Sequence, residues 1–166
     1  MNQKIGIVAS HFGAAQQAFE IINAANKFAK DNTNCCALFN VEYVPFCIKP
    51  DVVVMNVSEM FGFNGCIVSN DLESSKWSLS ASGNGPRVFY VWDLFWLRQG
   101  TQVYDENIKV MGNPELLLVC RSKDHADALE NYCNRRPAVM PFDIRALMDL
   151  GYRLGSFNRT IPAWIS

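Results

Sequence analysis

Hydrophobic residues in this chain fall into short runs bounded by polar, glycine- or proline-bearing stretches, and these runs alternate with segments whose apolar positions recur every three or four residues. Lys4-Ile-Gly-Ile-Val-Ala9 is the first run, ended by Ser10-His-Phe-Gly13, and it predicts a buried strand followed by a turn. From Gln16 to Lys30 the apolar positions Ala18, Ile21, Ile22, Ala25, Phe28 and Ala29 share one helical face, so this segment predicts a helix packed on a sheet. Asp31-Asn-Thr-Asn34 ends it. Cys36 to Asn40 and Val52 to Asn56 predict two further strands joined by a proline-containing loop.

The second half repeats the alternation. Cys66 to Ser69 predicts a strand, Asp71 to Leu79 a helix capped by Asn70 or Asp71, and Arg87 to Val91 a central strand after the turn Ser82-Gly-Asn-Gly-Pro86. An irregular stretch leads to the strand Leu116 to Cys120 and to a helix over Lys123 to Asn134 with Ser122 as its N-cap. Ala138 to Met140 predicts a short strand and Phe142 to Leu150 a short last helix. The tail beyond it holds Gly151, Gly155 and Pro162. Strands buried on both faces, alternating with helices through short links, predict an α/β fold. The expectation is a single Rossmann-like domain over residues 1–150, with a mostly parallel sheet, helices on both faces and a tail over 151–166.

Composition narrows the picture. With 166 residues, 49% hydrophobic and 19% charged, the chain fits one well-packed domain. A net charge of −1 with scattered basic residues gives no footprint for a phosphate backbone. No apolar run approaches the roughly 20 residues that span a bilayer, and the start lacks a signal-peptide profile, so no membrane partner and a cytoplasmic location are expected. The six cysteines, Cys35, Cys36, Cys47, Cys66, Cys120 and Cys133, show no metal-ligand or CxxC spacing and read as small core residues. No metal and no cofactor is called for.

Candidate chemistry gathers at strand ends, where ligands of open α/β sheets bind. The run Arg87-Val-Phe-Tyr-Val-Trp-Asp93 ends on an acid. Asp93 reads either as a general base or as a cap for the turn at Leu94 to Leu97. Trp92 and Trp96 read as stacking platforms or as core. His11 and Gly13 follow the first strand, and a histidine there titrates near neutral pH or is simply a loop residue. Asn56, Ser58, Ser69, Asn70 and Asp71 line the same crevice or serve turns and caps. His125, beside Asp124, is expected to face solvent, and Arg135 and Arg136 to meet a phosphate or a helix dipole. The first strand is followed by Ala9-Ser-His-Phe-Gly-Ala-Ala15, so the GxGxxG cradle is missing, and neither GxxxxGK[ST] nor GxSxG occurs.

Three stretches resemble the amino-terminal half of a GT-B glycosyltransferase: Asp51 to Gly65, Arg87 to Leu97, and Leu116 to Leu129 with its sequel to Asp143. Within that family the first two are similar to enzymes that glucosylate DNA. The resemblance implies that Asp93 is the catalytic base of an inverting transfer, with His11, Gly13, Asn56, Ser58, Asn70, Asp71, Trp92 and Trp96 around the substrate. Nucleic acid is implied only as an acceptor. The chain stops where the donor-binding domain of that family would begin, so the resemblance implies the acceptor side alone. It leaves two readings: part of a split, sugar-nucleotide-dependent transferase completed by a separate nucleotide-sugar-binding chain, or a non-catalytic binding or interaction module, alone or as a homo-oligomer. For a partner face, Phe95, Trp96 and Trp164 are the expected apolar contacts.

Overall fold

The computed structural model describes residues 3–159. The elements are β1 (Ile5–Ala9), α1 (Gln16–Asp31), β2 (Cys36–Asn40), β3 (Val53–Asn56), β4 (Cys66–Ser69), α2 (Leu72–Ser80), β5 (Arg87–Val91), α3 (Tyr104–Met111), β6 (Leu116–Cys120), α4 (Lys123–Cys133), β7 (Ala138–Val139) and α5 (Ile144–Arg159). Seven strands form one sheet in the order β3-β2-β1-β4-β5-β6-β7, every neighbouring pair parallel. The chain is a single Rossmann-like α/β domain. The order runs outward from β1 in one direction through β2 and β3, then in the other through β4 to β7, so the topological switch lies between β1 and β4.

Alternation along each strand feeds two cores. Ile5, Ile7, Leu38, Val68, Val88, Tyr90 and Val119 face α1 and α5, whose Ile21, Ile22, Leu147 and Met148 cover them. On the other face Val8, Phe39 and Ile67 meet Val57 and Met60 of a 3-10 segment, Val57–Gly62. Phe89, Val91, Leu116 and Leu118 meet Val110 and Met111 of α3 and Ala126 and Leu129 of α4. Burial on both faces explains why these strands read as continuous apolar runs. Among the described residues no helix is long and apolar enough to cross a membrane.

Two expectations change. The irregular stretch after Asp93 contains α3, hidden in the sequence because it has only eight residues and buries the polar Asn107 beside Val110 and Met111. The final helix does not stop at Leu150 but runs to Arg159. Gly151, read as a stop, is a packing residue: a Cβ there would lie 2.9 Å from Cys66 Sγ and 3.3 Å from Val88 Cγ2, so its lack of a side chain lets α5 approach the sheet. Residues 160–166, with Pro162 and Trp164, lie outside the described residues.

Candidate functional site

A crevice of about 450 Å³ opens above the carboxyl ends of β1, β4 and β5, at the switch point. Ser10 follows β1, Asn70 and Asp71 follow β4, and Trp92 and Asp93 follow β5. Gln17 of α1, Glu73 and Lys76 of α2, Gln99 of the loop before α3, and Glu106 and Asn107 of α3 complete the polar lining. Phe89, Trp92, Phe95 and Trp96 supply its aromatic wall.

Asp71 ties the two sides of the switch together. Its Oδ1 accepts from the Ser74 amide at 2.6 Å, and the Ser74 hydroxyl accepts from the Asp71 amide at 3.2 Å, a reciprocal cap that starts α2. Its Oδ2 accepts from both the amide and the hydroxyl of Ser10, at 3.2 and 3.1 Å. Both carboxylate oxygens are therefore engaged within the fold. Asn70 is 3% exposed; its Nδ2 donates to the Val8 carbonyl at 3.2 Å, while its Oδ1 is buried without a donor. Because a carbonyl accepts only, the amide nitrogen must be the end that faces Val8.

Asp93 is held more loosely. Its Oδ1 accepts from the Phe95 amide at 3.3 Å, which shapes the turn into a short 3-10 segment, Phe95–Arg98. No other hydrogen bond or ion pair holds that carboxylate among the described residues, so Oδ2 remains available at the crevice wall. Trp92 packs against Tyr90 and Phe142, with ring centroids 5.5 and 5.4 Å away, and this fixes the β5 end beside Asp93. The Tyr90 hydroxyl donates to the Met140 carbonyl at 3.1 Å, and burial pushes its pKa up to about 12. Trp96 is 3% exposed, donates its indole Nε1–H to the Asp93 carbonyl at 3.1 Å and packs edge-on against Tyr132. It is a core residue forming the crevice floor rather than an open stacking platform. Phe95, 62% exposed, is the free aromatic at the rim.

Other expected site residues lie elsewhere. The His11 Nδ1 accepts from the Gly13 amide at 3.1 Å, which curls the ring back onto its own loop, and Gly13 is buried where a Cβ would meet Val44 at 2.7 Å. Neither lines the crevice. Asn56 and Ser58 sit at the end of the edge strand β3, where Asn56 Oδ1 accepts from the Ser58 amide at 3.0 Å to cap the 3-10 segment. The strands β2, β1 and β4 separate them from Asp93. Ser69 is buried and bonded to Ser75 Oγ at 2.7 Å. His125 is not solvent-facing throughout: its Nδ1 is buried without a partner, and burial, reinforced by Arg121, holds its pKa below the usual range against the pull of Asp93 and Asp124. Arg135 binds three carbonyls and Arg136 pairs with Asp127 and Glu130, so both are occupied within the fold.

The sequence reading passed over Gln17, Glu73, Lys76, Glu106 and Asn107. Glu73 and Lys76 are three residues apart on α2, a spacing that places them on one face, but which face meets the crevice follows only from how α2 packs. Lys76 Nζ and Glu106 Oε2 are 3.5 Å apart and join α2 to α3 across the opening. The crevice thus gathers four carboxylates, those of Asp71, Glu73, Asp93 and Glu106, against one lysine that is itself paired. Such a field disfavours phosphate and favours ligands that present hydroxyl or amino hydrogens. Burial pushes the Cys36 and Cys66 thiols up to about 12, which keeps them protonated and inert. Among the described residues no three His, Cys, Asp or Glu side chains come together to hold a metal ion. No family model, no curated protein and no solved structure matches this chain.

Proposed function

We propose that the crevice binds a hydroxyl-bearing ligand of the sugar class, and that the chain is the acceptor side of a sugar-nucleotide-dependent transferase whose donor is held by a separate polypeptide. The observation that carries this reading is Asp93: a carboxylate at the end of a central strand, with one oxygen uncommitted, in a crevice with an exposed aromatic rim. In an inverting transfer, the acceptor hydroxyl gives its proton to Asp93 Oδ2 while its oxygen bonds to the anomeric carbon. The bond from that carbon to the nucleoside diphosphate breaks, and its electron pair leaves with the phosphate. Four carboxylates make this crevice a poor seat for the diphosphate, which favours placing the donor on another chain. Six free thiols suit a reducing, cytoplasmic setting for this activity.

A second reading, a binding module without catalysis, draws support from the Asp93 contact to the Phe95 amide, which is the geometry of a turn cap. Calorimetry separates the two. Neutral sugars and nucleosides are titrated into the chain, then uridine diphosphate sugars into the chain with and without the product of the adjacent gene. The transferase reading expects sugar binding by the chain, nucleotide-sugar binding only in the presence of the partner, and loss of transfer in Asp93→Asn with folding stability within about 0.5 kcal/mol of the parent. Sugar binding with no transfer in any combination leaves the binding module. Absence of sugar binding removes both.

A further inference from the structure

We infer that the ligand of the crevice carries a protonated amine beside its hydroxyls, an amino sugar rather than a neutral one, and that Glu73 reads its charge. This rests on the reading of the crevice as a sugar site and narrows it. The starting point is an imbalance of hydrogen-bonding groups. Of the side-chain donors in the lining, those of Ser10, Gln17, Lys76, Trp96 and Asn107 each already reach an acceptor within the fold, Trp92 and Gln99 being the exceptions. The acceptors are the groups left over. Asp93 has an oxygen to spare, and exposed Glu73 takes no hydrogen bond or ion pair among the described residues. Asn70 carries the argument furthest. Its side chain belongs to the lining yet is almost wholly buried, and with the amide nitrogen spent on Val8 its Oδ1 is a desolvated acceptor that no described donor reaches. Such an atom costs free energy until something donates to it.

A neutral hydroxyl answers this imbalance poorly, because each hydroxyl that donates also brings lone pairs that want donors in return. An ammonium group has three N–H donors and no acceptor, so it meets acceptors alone. Charge points the same way: four carboxylates face one lysine, and that lysine lies 3.5 Å from Glu106. Arg121, the cation that follows β6, is not part of the lining. At the rim Phe95 is free, and an open aromatic face attracts a cation as well as a sugar ring. Roles then divide between the walls. Asp93, at the end of β5, keeps its free oxygen for the reacting hydroxyl. Glu73, in the first turn of α2, has no charge of its own to answer, since Lys76 three residues on turns to Glu106 instead.

Calorimetry on the whole chain tests this with glucose, N-acetylglucosamine, glucosamine and spermidine, each at low and at high salt. Glucosamine is expected to bind roughly tenfold tighter than glucose at low salt, a gap that narrows as salt rises. N-acetylglucosamine, which keeps the nitrogen without its charge, is expected to bind no better than glucose. Glu73→Gln is expected to bring the ratio of glucosamine to glucose affinity down toward parity, and the position is exposed, so the change spares the core. Equal affinity for glucose and glucosamine overturns the inference and leaves the sugar site standing, as does a ratio unmoved by Glu73→Gln. Spermidine binding as tightly as glucosamine overturns it too, since charge alone then suffices. If neither sugar binds, the sugar reading falls and takes this inference with it. Should Glu73→Gln fold poorly, the salt dependence of the parent's ratio decides.

Discussion

The two ends of the sheet are held in different ways. At the amino ends of the strands, arginines clamp carbonyls: Arg87, at the start of β5, donates to Ser78, Ala81 and Gly83 where α2 ends. Arg135 donates to Met111, Asn113 and Leu116 where α3 ends and β6 begins, at 2.6 to 3.0 Å. Gly85 packs its backbone directly on Gly65, and the Tyr152 hydroxyl donates to the Lys4 carbonyl. At the carboxyl ends, α1 starts on Ala15 with no side-chain cap, and the stretch from Leu94 to Val103 makes two short 3-10 turns, the first held by the Asp93 contact to the Phe95 amide and the Trp96 indole on the Asp93 carbonyl. Side-chain caps there are local, Ser122 on α4 and Asn56 on the 3-10 segment after β3; Asp71 is the exception in reaching further, since its carboxylate caps α2 and also joins it to β1. The difference locates stability at one pole and leaves the other open for a ligand, the division expected when the crevice is outside the carboxyl ends of parallel strands.

This contrast breaks most sharply at Gly85. A Cβ there would lie 1.6 Å from the Gly65 carbonyl oxygen, so Gly85→Ala must displace backbone and is expected to cost about 3 kcal/mol or more in urea unfolding. Arg135→Met comes next, since it takes a charged donor from three half-buried carbonyls, of which Asn113 keeps only the Leu116 amide, for a loss of about 2 kcal/mol with sugar affinity retained. Retained affinity would keep the poles separate; loss of both would join them. Asp71→Ala probes the exception and is expected to cost about 1 to 2 kcal/mol while also weakening ligand binding, because Ser10 and α2 lose their common anchor. The smallest effect lies at His125. Burial keeps its imidazole below the usual histidine pKa, so the unfolded chain takes up that proton more readily. The stability it contributes is complete above about pH 6.5 and is lost as pH falls through the lower folded value. His125→Gln is expected to flatten this part of the pH dependence, read from urea midpoints at neutral and mildly acidic pH.

The positions of strands and helices along the chain are legible where a single physical signal dominates, whereas the order of the strands in the sheet is not. Residues such as Ile5, Ile7, Val88 and Tyr90 are apolar because both sheet faces are covered, and α1 carries a clean apolar stripe. α3 was illegible because a buried asparagine interrupts its short stripe, and α5 because a glycine chosen for close packing has the same letter as one chosen to stop a helix. At the site, Asn70, Asp71, Trp92 and Asp93 could be placed because strand ends converge wherever strands are parallel. Glu73, Lys76 and Glu106 could not, since they reach the crevice from helices whose rotation is set by packing. His11 and Gly13 satisfied the same rule as Asp93 yet turned away, because Gly13 folds against Val44.

The arginine clamps have a consequence for how the molecule comes apart. A guanidinium is a rigid fork of N–H donors, so each clamp fixes several carbonyls relative to one another: the end of α2 against the start of β5 through Arg87, and the end of α3 against the start of β6 through Arg135. Backbone at that rim opens only when a clamp and its carbonyls separate together, so its amides are expected to exchange as one unit and later than those of the turns at the crevice end.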